Sequence, residues 1–218
     1  RGIEQLEQAI ALDPDFAAAW AHLSLGHLFS AYWGAARGRE DFDEARRGAD
    51  RALELDPDSA LARVGRAGVR SHLDLDWDGA VADLREAIEL DPTEIDAYFW
   101  LGVTLFLMGR FEESVATHEI AYSMDPQSPN IISQLGLVLC YAGRREEGER
   151  MLRDGIGQHP VFFDLPNFLA IVLKRRNLFD EAARWHDRTS ELTGRHPFFE
   201  AMRASNLKLA GKGGEAGR

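Results

Sequence analysis

Seven histidines and one cysteine are the side chains that could ligate a metal or serve as base and nucleophile: His22, His27, His72, His118, His159, His186, His196 and Cys140. Their spacing argues against both uses. There is no His-Glu-x-x-His and no Cys-x-x-Cys, and Cys140 has no Cys or His one helical turn away, so the ligand spacing of a metal site is missing. A glycine-rich phosphate loop, a Ser-His-Asp grouping and a nucleophile elbow are missing too. The carboxylates have simpler explanations. Glu112-Glu113 and Glu146-Glu147 fall where helices would open, and the helix dipole favours negative charge there. Asp13, Asp56, Asp91 and Asp125 each precede a proline, where a chain must turn. The expectation is a protein that is not an enzyme and uses no cofactor and no metal.

The chain that carries these groups has 218 residues, 45% apolar and 28% charged, which is ordinary for a folded globular protein. A single Cys excludes a disulfide-stapled scaffold. No apolar run reaches the ~18 residues a spanning helix needs, so no membrane insertion is expected. The net charge of −11 opposes nucleic acid as a partner, because phosphates need a concentrated positive face. The charge is uneven: residues 161–218 hold 10 basic and 7 acidic groups, and residues 1–160 hold 15 and 29. The first residue is Arg1, inside an amphipathic pattern, and no signal peptide is legible. A fragment of a longer protein, in the cytoplasm, is expected.

A period organises the rest. Pro92, Pro126 and Pro160 lie 34 residues apart, and the same step reaches Gly194. Gly68, Gly102, Gly136 and Ala170 keep that spacing, as do Ala80, Ser114, Gly148 and Ala182. Trp77 and Phe111 are one period apart, with Phe179 two periods further on. Small residues allow two antiparallel helices to approach to about 8–10 Å. The aromatic opens the second helix, and Asp-Pro ends it, since proline lacks an amide hydrogen and restricts the residue before it. Each unit therefore reads as helix, turn near Gly109 or Gly143, helix, proline stop.

These units resemble tetratricopeptide repeats. Residues 95–128 match best, through Tyr98, Leu101-Gly102, Leu105, Gly109, Phe111, Ala121 and Pro126. In 129–162 the match keeps Leu135-Gly136, Leu139, Gly143 and Pro160, but Arg145 replaces the second aromatic and Gly155 the alanine. Residues 61–94 keep Gly68, Trp77, Ala80, Ala87 and Pro92, and 163–195 keep Leu169-Ala170, Phe179 and Ala182. The unit at 17–58 carries nine extra residues. Residues 1–14 look like the second helix of a truncated repeat, 15–195 like about five repeats, 196–210 like a capping helix, and 211–218 like a disordered tail. The wording of 77–92 and 124–143 is also similar to tetratricopeptide regions of bacterial signalling and transcription-regulator proteins. The resemblance implies an all-α, right-handed superhelical solenoid of antiparallel helix pairs.

In such a solenoid the first helices line a concave groove. Helical spacing assigns to it Val69 and His72, then Phe99, Val103 and Phe106, then Ser133 and Leu137, then Asn167, Ile171 and Lys174. The family's chaperone-binding members grip a carboxylate there with Lys, Asn and Arg, but the matching places hold Ala21, Gly65, Phe99 and Ser133. An apolar groove for a protein or peptide ligand is expected instead. Phe29, Tyr32 and Trp33, beside the insertion, read either as a prong for a partner or second subunit, giving a homodimer, or as a loop packed on its own unit. A sensory or dimerisation region regulating a fused output domain is the alternative function.

Overall fold

The computed structural model describes residues 2–32 and 38–211; the expected tail at 212–218 and Trp33 lie outside the described residues. Twelve α-helices and no strand are found among the described residues. After α1 (Gly2–Leu12) come α2 (Ala17–Tyr32) with α3 (Arg39–Leu55), and α4 (Ala60–Val69) with α5 (Trp77–Leu90). Next are α6 (Ile95–Leu107) and α7 (Phe111–Met124), α8 (Pro129–Tyr141) with α9 (Arg145–Gln158), α10 (Asp164–Arg175) with α11 (Phe179–Leu192), and α12 (Pro197–Leu209). The chain divides into two compact units, residues 1–117 and 118–218, with the division inside α7.

The periodic columns explain how closely the helices pack, both between neighbouring hairpins and within one. A Cβ added at Gly68 would stand 2.1 Å from Leu28 Cδ2, and one at Gly148 would stand 2.4 Å from the Gly136 carbonyl. Where the column holds Ser114, its hydroxyl donates to the Gly102 carbonyl at 2.6 Å, so the close approach is itself hydrogen-bonded. The Asp-Pro stops work through two bonds each. The Asp91 amide closes the last turn on Ala87 at 2.9 Å, and its carboxylate accepts the Thr93 amide at 2.9 Å across the proline. Asp13, Asp56 and Asp125 repeat both contacts. Such side-chain caps satisfy donors that a helix end leaves open.

The turn between first and second helix has its own column. Leu75, Gly109, Gly143 and Asn177 follow one another at the 34-residue step, and all have positive φ, at 58°, 76°, 93° and 61°. The left-handed turn is thus a property of the repeat. Leucine at that φ is strained, by roughly 1–3 kcal/mol. Just before it, Arg70–Asp74 form a π-helical turn that continues α4.

Six of the nine extra residues of 17–58 lengthen the two helices of its hairpin. α2 has 16 residues against 13 in α6, and α3 has 17 against 14 in α5. The end of α2 is fastened to the start of α3 by one carboxylate: Asp41 accepts from His27 Nδ1 at 2.9 Å and from the Ser30 hydroxyl at 3.0 Å. In unit 2, α12 lies on α11 through Asn206 Nδ2 and His186 Nδ1 at 2.8 Å, both residues buried.

Candidate functional site

In unit 1 the first-helix stripe is filled from within. Trp100 and Phe99 are 0% and 2% exposed, and what covers them is the tip of α2. Phe29 lies 6.4 Å from the Phe99 ring and 5.5 Å from Trp100. Tyr32 meets Trp100 and His72 edge-on, at 5.2 Å in both cases. Phe42 of α3 stacks on His72 at 6.3 Å. Phe29 and Tyr32 therefore turn inward onto their own unit instead of projecting, because aromatic rings bury the largest area per residue and find complementary edges there. Val69 and Val103 are buried as well, while His72 and Phe106 keep partial exposure.

The cluster has a polar weakness. His72 Nδ1 donates to the Gly68 carbonyl at 3.1 Å, but its Nε2 and the indole Nε1 of Trp100 are buried without a partner among the described residues. Burial disfavours the charged form and holds the His72 pKa below the usual histidine value, so the ring stays neutral. In the His27–Asp41–Ser30 group one carboxylate accepts from both neighbours, so its two oxygens are used in holding the end of α2 to the start of α3. It braces the hairpin tip.

Unit 2 is built differently. Ser133, Leu137 and Asn167 are buried, and Ile171 and Lys174 are half-buried. The Lys174 ammonium lies 3.4 Å from Ser205 of α12. Asp164, at the start of α10, is buried, and its Oδ2 and the Asn167 Oδ1 have no partner among the described residues. Burial raises the Asp164 carboxyl to about 7, with the Asn167 hydrogen bond opposing. A protonated Asp164 then supplies the donor that this pair of oxygens lacks. At the other end, Arg175 stacks over the Tyr141 ring at 4.2 Å. Burial, aided by Glu149, pushes the Cys140 thiol up to about 12, which leaves no thiolate for chemistry near neutral pH.

A tetratricopeptide-repeat family profile matches residues 95–128, and a second TPR-repeat profile matches 76–109. The fold is a tetratricopeptide-repeat solenoid. A thermophilic TPR protein of Thermus thermophilus superposes with a TM-score of 0.71 at 19% identity, over 85% of this chain and 99% of that one. YrrB, described as a TPR protein with an unusual peptide-binding site, gives 0.56 at 17% identity, over 94% and 99%. In sequence, the small glutamine-rich tetratricopeptide repeat-containing protein 2 of Mycosarcoma maydis is 31% identical over 93 residues, 43% of this chain and 26% of that protein. The chain spans about a quarter of the length of the curated relatives it matches.

Among the described residues, no group of three or more His, Cys, Asp and Glu could hold a metal ion, and no helix is long and apolar enough to cross a membrane. Sequence reasoning left the inward turn of the α2 tip as one of two readings, and it missed the His27–Asp41–Ser30 brace and the buried Asp164–Asn167 pair. Only the brace left a signal, since His27 and Ser30 are three residues apart on one face of α2.

Proposed function

We propose that the chain is a non-catalytic module that receives a peptide or protein segment along its first-helix stripe, through the members of that stripe that stay open. In unit 2 these are Ile171 and Lys174, backed by buried Leu137 and Asn167; in unit 1 they are His72 and Phe106, backed by Val69, Phe99 and Val103. The observation that carries the reading is the partial exposure of Ile171 beside Lys174. A side chain of that kind, half out of water on a rigid helix, can complete its burial only against another chain. The peptide-binding site named for YrrB supports the same use of this fold. The test is selection of binding peptides on the immobilised full chain, repeated on Ile171→Asp. Peptides enriched on the parent and lost on the variant, with unchanged melting, support the proposal. Enrichment that survives Ile171→Asp overturns it.

A further inference from the structure

The α8–α9 turn departs from the repeat in a way that opens a recess. One period earlier, Phe106 and Phe111 pack with centroids 5.7 Å apart and planes tilted by 50°, and close the same corner of their own hairpin. In unit 2 the corresponding residues are Cys140 and Arg145, joined only by the thiol donating to the Arg145 carbonyl at 3.6 Å. Replacing two rings with a thiol and a guanidinium leaves a recess of about 110 Å³, lined by Cys140, Tyr141, Arg145, Val172, Arg175 and Arg176. That is several times the roughly 30 Å³ share of one water.

Its charge is out of keeping with a chain of net charge −11. Three guanidinium groups converge on the recess. Arg176 is paired with Glu149 at 2.5 Å, but neither Arg145 nor Arg175 has a carboxylate within 4 Å among the described residues. Arg175 at the end of α10 suits the negative end of a helix and is pre-positioned by the Tyr141 face. Arg145 does not suit its place. It is the first residue of α9, at the positive end of that helix dipole, where the other repeats carry Trp77, Phe111 and Phe179. A residue that breaks both the repeat column and the dipole rule marks a position held for something other than local stability. A larger recess along α9 shares Arg145 and Arg176 and adds Arg150 and Arg153, but Glu146 and Glu149 line it too and Arg153 is paired with Glu181 at 2.7 Å, so the unpaired charge is concentrated at the smaller recess.

The geometry points to an oxyanion subsite in this recess, for a carboxylate or phosphoryl group carried on the segment that the module receives. Arg145 and Arg175 supply the planar donor forks that match such groups. The chaperone-type clamp positions on the first helices are not involved. This deepens the segment-binding reading and rests on it for the carrier of the anion.

The test has two arms. In the first, melting of the full chain is followed in millimolar sodium pyrophosphate against sodium chloride of equal ionic strength. A pyrophosphate-specific rise in Tm in the parent, absent in Arg145→Ala/Arg175→Ala and partly kept in Arg145→Lys/Arg175→Lys, supports the subsite. No specific rise in the parent, or an equal rise in the double alanine variant, overturns it. In the second arm, Leu-Leu-X-X-Leu peptides with X as glutamate, phosphoserine or glutamine are titrated into the parent. Binding of the glutamate or the phosphoserine peptide about tenfold tighter than the glutamine one supports the subsite and names its anion. Equal binding of all three that is lost in Ile171→Asp keeps the segment-binding reading and overturns the subsite. A pyrophosphate response with no peptide binding does the reverse.

Discussion

At the corner where first helix meets second, unit 1 sets Phe106 against Phe111, and one period later unit 2 sets Cys140 beside Arg145. The same backbone turn, with φ of 76° at Gly109 and 93° at Gly143, accepts either solution. The contrast continues along the stripe. Unit 1 fills its stripe with rings brought by the longer α2, and unit 2 keeps Ile171 and Lys174 half-buried and a cluster of guanidinium groups exposed. Repetition holds the helices in place, and departures from it decide whether a surface is closed or available.

Four measurements can break or sharpen that contrast. The largest effect is expected for Trp100→Ala, which removes the ring beneath Phe29, Tyr32 and His72. A loss of about 3–5 kcal/mol is expected in urea unfolding of unit 1 probes. A loss below about 1 kcal/mol would mean that the rings are not what closes the stripe.

Asp164 comes next. Its carboxyl is raised to about 7 in the folded chain from about 3.9 unfolded, so it folds as the neutral acid. That contribution is fully present below pH ~4 and is lost as pH rises toward 7, because the unfolded chain then releases the proton more readily. Asp164→Asn keeps a neutral group and lets an amide donate to Asn167. It is expected to gain on the order of 1–3 kcal/mol over the parent at pH 8 and to show no gain at pH 4. His186, held down to about 4 by burial, acts in the opposite sense and destabilises unit 2 as pH falls from ~6.5. The Asp164 effect is therefore read as the difference between variant and parent, in which His186 cancels.

Leu75→Gly is expected to stabilise by about 1 kcal/mol, since the side chain is 67% exposed and its left-handed backbone is strained. Equal or lower melting would show that Leu75 earns its place by a contact. The smallest effect belongs to Arg175→Ala, within about 0.5 kcal/mol of the parent, because its charge is not ion-paired; a larger loss would make the recess a structural feature.

The hairpins were legible because their causes are local. The small-residue columns, the Asp-Pro stops and the opening aromatics each act within one period, so spacing alone exposed them. Gly109 and Gly143 announced the left-handed turn, and Leu75 and Asn177 hid it, because only glycine advertises that conformation in its residue type. The depth of the stripe was not legible. Whether Phe99 faces water depends on Phe29, 70 residues earlier, and therefore on how far α2 runs before it turns. Asp41 sits among other acidic residues at the start of α3, and nothing in its type says that it reaches His27 and Ser30. Arg145 was visible as a lapse in the aromatic column, and its meaning came only with the space left around it.

Six of the extra residues of 17–58 lie in equal shares at the end of α2 and the start of α3. Growth at the free end of a hairpin leaves the small-residue columns below it untouched. A lineage could therefore lengthen, shorten or decorate that tip without re-solving the scaffold, and gain or lose a stopper for the neighbouring hollow in a single insertion or deletion.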